Sequence, residues 1–252
     1  MTIGIALIGF GKIARDEHLP AITRDPRFRL VAVSTPGGDP SIGIPWFADV
    51  ASLIAGMGNA FDAAAICTPP AVRHGIAVAL IAAGKAVLLE KPPAATLGEI
   101  DDIERQAQAA GTALYASWHS QHACAVPQAR AMLAGEEVTS LAIRWREDVR
   151  KFHPGQQWIW QPGGFGVFDP GINGLSIATR ILPRPLFVRS AELVFPENRQ
   201  APIAADVVFA GDDMRAEFDW REQHGECWSI TVATASGRRF ELIDGGERLL
   251  VD

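Results

Sequence analysis

Asp169 and Asn173, in the stretch FDPGINGLSI at 168–177, stand four residues apart, so a helix there puts both side chains on one face near its start. A carboxylate and a carboxamide so placed can together contact one small polar molecule. The stretch is also a helix entry in its own right: Asp169 is expected as the N-cap and Pro170 at the first helical position, where no N–H is needed. Near the N-terminus, IGIALIGFGKIA places Gly9, Gly11 and Ala14 as G-x-G-x-x-A directly after an apolar run. Gly9 permits a tight turn, Gly11 lets a pyrophosphate approach the backbone, and Ala14 keeps the next helix close to the sheet, so the spacing points to a dinucleotide. Lys91, in LLEKPPAAT, closes a later apolar run, at the kind of strand end where open α/β sheets bind ligands.

These residues need elements to hold them. In the first half, fully apolar runs at 3–9, 28–34, 61–67, 86–90 and 112–117 read as strands, with helices at 12–24, 71–83 and 97–110. Such runs separated by helices imply a parallel sheet covered on both faces, a doubly wound Rossmann domain. After about residue 136 the period changes to two. LAIRW sets Leu141, Ile143 and Trp145 on one face; MRAEFDW does the same with Met214, Ala216, Phe218 and Trp220, and WSITVAT with Trp228, Ile230 and Val232. Strands that bury one face only, joined by GDD, SG and DGG turns, predict an open, mainly antiparallel sheet in an α+β domain. The expected division is 1–120 for the dinucleotide-binding domain and 121–252 for the substrate-binding domain.

With 252 residues, 48% of them hydrophobic, the chain can build two modest cores. A net charge of −6 with scattered basic residues gives no footprint for nucleic acid. Residues 1–9 lack a basic leader and a cleavage site, and no apolar run is long enough to span a bilayer, so a soluble cytoplasmic protein is expected. Three dispersed cysteines suit neither a disulfide framework nor structural zinc, and His119 and His122 in HSQH lack further ligands, so no metal is expected. The second strand ends VSTPGGDP, where Ser34 and Thr35 can bond an adenosine ribose or its phosphate; Asp39 lies farther along. NAD or NADP therefore fits, with NAD preferred because no Arg is nearby.

G-x-G-x-x-A, CTPP after the third strand, EKP after the fourth and an acid-led helix in a later sheet domain together resemble the glucose–fructose oxidoreductase, inositol dehydrogenase and rhizopine-catabolism (Gfo/Idh/MocA) family. Within it, GKIARDEHLPAI, LEKPPAATLGE, WREDVRKFHPGQQWIWQPGG and GVFDPGINGLSI resemble the bacterial aldose 1-dehydrogenases for D-galactose or L-arabinose. The resemblance implies oxidation of the anomeric C1 hydroxyl of a pyranose to a lactone, with hydride passing to a nicotinamide. It carries Lys91, Asp169 and Asn173 over as catalytic residues, the last two facing Lys91 and the cofactor. Many relatives have His where Asn173 stands; Asn accepts no proton, which moves the base role to Asp169 or Lys91 and leaves Asn173 to orient hydroxyls. Candidate cofactor contacts are Gly9, Gly11, Lys12 and Ile13, then Ser34 and Thr35, then Cys67, Thr68, Pro69 and His74, and finally Glu90 and Lys91. Candidate sugar contacts are His119, Glu147 and His153, with Trp158 or Trp160 to stack on the ring. Relatives continue well beyond GGERLLVD, so the chain is expected to be shortened, and the sheet is a possible surface for a homo-oligomer. Two further readings stay open: a nucleotide-binding sugar sensor without turnover, and a dehydrogenase for another polyol.

Overall fold

The computed structural model describes residues 2–37 and 42–252, so Asp39 lies outside the described residues. The chain divides into units Met1–Ser117 and Trp118–Asp252.

In the first unit β1 (Ile3–Ile8) leads through the glycine loop to a wide turn of π-helix at Ala14–His18, and then to α1 (Leu19–Arg24). One continuous helix is predicted here. Pro20 has no N–H to donate, and its ring crowds the preceding turn, so the ladder changes register before it. β2 (Phe28–Ser34), β3 (Trp46–Phe47), α2 (Val50–Met57), β4 (Ala63–Ile66), α3 (Arg73–Ala82), β5 (Ala86–Leu89), α4 (Leu97–Ala110) and β6 (Leu114–Ala116) follow. The sheet order is β3-β2-β1-β4-β5-β6, all parallel. Ala6 and Ile8 of β1 pack into one core and Leu7 into another, so both faces are covered, as apolar runs without alternation require. β3 and α2 are additions to the sequence reading; α2 is capped by Asp49, whose Oδ1 accepts from Ser52 N–H at 2.7 Å.

The second unit opens with α5 (Val126–Leu133), β7 (Val138–Arg146) and the short α6 (Val149–Phe152). A loop then leads to α7 (Phe168–Ile181), β8 (Val188–Val194), β9 (Ala204–Phe209), β10 (Met214–Asp219), β11 (Cys227–Thr234), β12 (Arg239–Ile243) and β13 (Arg248–Val251). The order β13-β12-β11-β7-β10-β9-β8 is antiparallel throughout except for β7 and β10, which run parallel. Alternation places the core as read from the sequence: Leu141, Ile143, Trp145, Ala216, Phe218, Ile230 and Val232 are buried on one face. α7 lies directly on that face. A Cβ at Gly171 would sit 2.8 Å from the Phe218 ring and one at Gly174 2.7 Å from Trp145, so glycine at these positions sets the close approach.

The helix entry differs from expectation. α7 begins at Phe168 behind Val167, which places Asp169 inside the first turn rather than at the cap. The preceding loop makes a capping side chain unnecessary: Val167 N–H donates to Pro202 O, Phe168 N–H to Phe165 O and Asp169 N–H to Gly166 O. Gly166 supports that loop at φ +52, where a Cβ would lie 2.2 Å from Pro202 O.

Candidate active site

The glycine loop emerges from β1 with Gly9 at φ +83, its N–H on Ser34 O at 2.7 Å. A Cβ on Gly9 would come within 2.9 Å of Thr68 Cγ2, whereas one on Gly11 would meet no protein atom within 4 Å. The backbone at Gly11 is therefore open to a ligand. Thr68 Oγ1 is buried without a hydrogen-bond partner among the described residues, a polar atom that a bound group can satisfy. An open glycine loop after the first strand and an orphaned hydroxyl beside it fit a dinucleotide.

Behind this loop the strand ends are tied by a buried guanidinium. Arg73 donates through Nε and Nη2 to Thr68 O at 2.8 and 2.6 Å, and through Nη1 to Glu90 O and Pro92 O. Glu90 is buried. Its Oε1 takes His18 Nε2 at 2.7 Å and Ser117 Oγ at 3.0 Å, and its Oε2 takes the N–H of Lys91 at 3.0 Å. Burial pushes its carboxyl up, but the bonds from His18, Ser117 and the Lys91 N–H outweigh it and hold it below its ordinary value. Glu90 thus fixes the backbone of Lys91, which enters a cis bond to Pro92.

The other predicted cofactor contacts lie as follows. Lys12 pairs with Asp16, and Ile13 is exposed. Ser34 is buried, and Thr35 O accepts from Trp46 Nε1 at 2.8 Å. The Cys67 thiol is pushed up to about 12 by burial, with Glu90 adding to the shift, so it stays protonated. Pro69 is exposed, while the His74 ring is held by Asp102 of α4 at 2.8 Å.

In the second unit Asp169 and His153 meet. His153 Nε2 lies 3.2 Å from Asp169 Oδ2, both side chains being largely buried. The other ring nitrogen, Nδ1, lies 3.2 Å from Gln156 Oε1, which also accepts from Trp158 Nε1 at 3.0 Å. An atom that accepts from the indole is an oxygen, so Nδ1 is the donating nitrogen and Nε2 faces the carboxylate.

Asn173, one turn on, borders a cavity of about 360 Å³. His119, His122, Glu147, Trp145 and Trp228 line it too, together with Asp244 and Glu247. Glu147 is buried and accepts from two indoles, Trp220 Nε1 on Oε1 and Trp228 Nε1 on Oε2, each at 3.0 Å. Trp158 and Trp160 pack elsewhere, edge-on to His153 and Trp220 respectively. The sequence reading therefore brought three of its residues, His119, Glu147 and Asn173, to one cavity and two, His153 and Asp169, to a dyad. It did not name His122, Trp145, Trp228, Asp244 or Glu247, which line the same cavity, among its sugar contacts. Alternation marked Trp228 only as an inward residue, and Asp244 read as turn material; its φ of +53 holds a non-glycine residue in left-handed backbone at the cavity. Among the described residues no group of three or more His, Cys, Asp and Glu side chains is placed to hold a metal ion.

Comparison with known proteins follows the same lines. Residues 3–117 match the family described as oxidoreductase family, NAD-binding Rossmann fold (GFO_IDH_MocA). The chain is 47% identical over 253 residues to the galactose 1-dehydrogenase of Pseudomonas fluorescens, covering 99% of this chain and 81% of the relative. The crystal structure of the D-galactose-1-dehydrogenase protein from Rhizobium etli matches with a TM-score of 0.90 at 47% identity, over 98% of this chain and 80% of that one. The WlbA dehydrogenase from Bordetella pertussis, solved with NADH and UDP-GlcNAcA, reaches a TM-score of 0.86 at 17% identity, over 99% and 82%, a likeness of fold alone. A dinucleotide loop, a doubly wound first unit, an open sheet in the second and near full-length identity to such a relative place the chain in the Gfo/Idh/MocA oxidoreductase family.

Proposed function

We propose that the chain is an NAD(P)-dependent aldose 1-dehydrogenase that oxidises the C1 hydroxyl of D-galactose to the lactone, with L-arabinose as the alternative sugar. The observation that carries this reading is the near full-length similarity to the Pseudomonas fluorescens enzyme. A bound nicotinamide supplies the acceptor for the hydride that leaves C1. The hydroxyl proton leaves in the other direction as the C1–O double bond forms, and Asp169 is the group assigned to take it. Its carboxylate is buried beside His153, whose Nε2 lies 3.2 Å from Oδ2. Asn173 orients ring hydroxyls from the cavity wall. Lys91, its backbone fixed by Glu90, is assigned as a hydrogen-bond donor to the sugar. The first unit is the cofactor domain and the second the substrate domain.

NAD is the proposed cofactor, because no Lys or Arg occurs between Ser34 and Phe47 to meet a 2′-phosphate. Three unpaired cysteines support a reducing compartment, the cytoplasm. No helix among the described residues is long and apolar enough to cross a membrane. Exposed Phe187, Val188, Leu193, Val194 and Phe195, on and beside the edge strand β8, support self-association through the sheet.

The test is nicotinamide reduction followed by absorbance with D-galactose, L-arabinose, D-glucose and myo-inositol, each with NAD and NADP. Turnover is expected with the first two sugars. Cofactor binding without turnover on either would overturn the reading in favour of a sensor or another polyol.

A further inference from the structure

We propose that Trp228 is the platform for the apolar face of the sugar ring and that Glu147 positions it, so that the pair selects pyranoses by their configuration at C4. The inference rests on the aldose 1-dehydrogenase reading above and deepens it by assigning the specificity. Trp228 lines the cavity and is only partly buried, with Glu147 and Asn173 on the same walls. Three contacts fix its ring. In the β7–β11 register it stands directly opposite Trp145, and the two indoles stack at 6.1 Å and 25°. Its Nε1 donates to Glu147 Oε2 at 3.0 Å, and Phe152 tilts against it at 5.9 Å. The other oxygen of Glu147 is engaged by the fully buried Trp220, so the carboxylate is anchored in the core and cannot swing without releasing both indoles.

A flat apolar ring held rigid beside hydroxyl-binding groups suits a pyranose, which has polar edges and apolar faces. The sugars differ in how those faces are composed. In D-galactose the axial 4-hydroxyl leaves the C3, C4 and C5 hydrogens together on one face, and L-arabinopyranose presents the same patch. In D-glucose the equatorial 4-hydroxyl turns the C4 hydrogen to the opposite face and divides the patch. An indole platform therefore favours the first two sugars without any hydrogen bond to the 4-hydroxyl.

Steady-state kinetics on D-galactose and D-glucose with wild type, Trp228→Phe, Trp228→Leu, Trp228→Ala and Glu147→Gln test this, with calorimetric titration of D-galactose alongside. Losing the platform in Trp228→Ala is expected to raise the galactose KM about tenfold or more, by more than kcat falls, and to reduce the galactose-to-glucose ratio of kcat/KM by about tenfold. Trp228→Phe keeps most of the ratio. Trp228→Leu fills the space beside Trp145 but has no flat face, so it loses the ratio even if the alanine variant folds poorly. Glu147→Gln retains one indole acceptor of two and is expected to fall between, a change in selectivity that a purely structural role would not produce. An unchanged galactose KM and ratio in Trp228→Leu and Trp228→Ala would overturn the platform while leaving the dehydrogenase reading intact. A wild type that binds galactose without oxidising it would overturn that reading instead, and the platform would then stand or fall on whether Trp228→Leu loses the calorimetric signal. A wild type that neither binds nor oxidises galactose would overturn both.

Discussion

Asp169 and Gly11 make opposite demands on the chain, and their substitution separates chemistry from binding. Asp169→Asn keeps the shape beside His153 but cannot take up a proton, so kcat is expected to fall by about 10²–10⁴-fold while cofactor affinity, read by fluorescence titration, stays near wild type. Undiminished turnover would remove Asp169 from the reaction. Gly11→Val fills space that no protein atom occupies, so thermal stability is expected to hold while cofactor affinity drops at least tenfold. A variant that still binds cofactor normally would put the pyrophosphate elsewhere. The spacing of Asp169 and Asn173 was legible in the sequence because it is local, four residues on one helix. The partnership of Glu147 with Trp220 and Trp228 was not, because strand pairing that no local pattern encodes brings those side chains together. The same limit applies to Trp228, which reaches the cavity from a strand distant in sequence.

At the scale of elements, the end of β5 positions the candidate residues of the first unit and α7 those of the second. Gly174→Ala would drive a methyl group to 2.7 Å from Trp145, so the helix must lift from the sheet, at a cost of about 1–3 kcal/mol measurable by urea denaturation. Wild-type stability in that variant would mean that the helix is not seated by its glycines. At the end of β5, Glu90 makes stability depend on acid. Because its carboxyl is held below the ordinary 4.5, the folded form gains from it above that pH and loses the gain as pH falls through the lowered value. Glu90→Gln is expected to flatten this acid limb of the melting curve and to lower stability near neutral pH; an unchanged limb would mean that other carboxyls set it. The principal elements were readable because apolar runs and alternation are strong signals. α2 could have been found from Asp49 and Ser52 at capping spacing before an apolar turn. The helix entry at 168 was misread for a tertiary reason: acceptors from Pro202 and from the loop itself replace the side-chain cap that local rules assume.

For the whole molecule, association is the property most open to test. Sedimentation velocity is expected to show a dimer or larger species, and Val194→Lys, which places a charge on the exposed edge strand, to shift it toward monomer. A wild-type monomer at all concentrations would remove the sheet from consideration as an interface. The order of strands in that sheet bears on how the protein is made. β7 is the first of its strands along the chain and the one at its centre, with β8, β9 and β10 building out on one side and β11, β12 and β13 on the other. During synthesis, therefore, the middle of the sheet leaves the ribosome first and waits with both edges bare. One edge is covered only when β10 emerges after the loop, α7 and two more strands, and the other only when β11 follows. For that interval the alternating apolar face of Val138–Arg146 lacks the strands that flank it in the finished sheet, so the order of synthesis leaves the centre of this unit the longest without its neighbours.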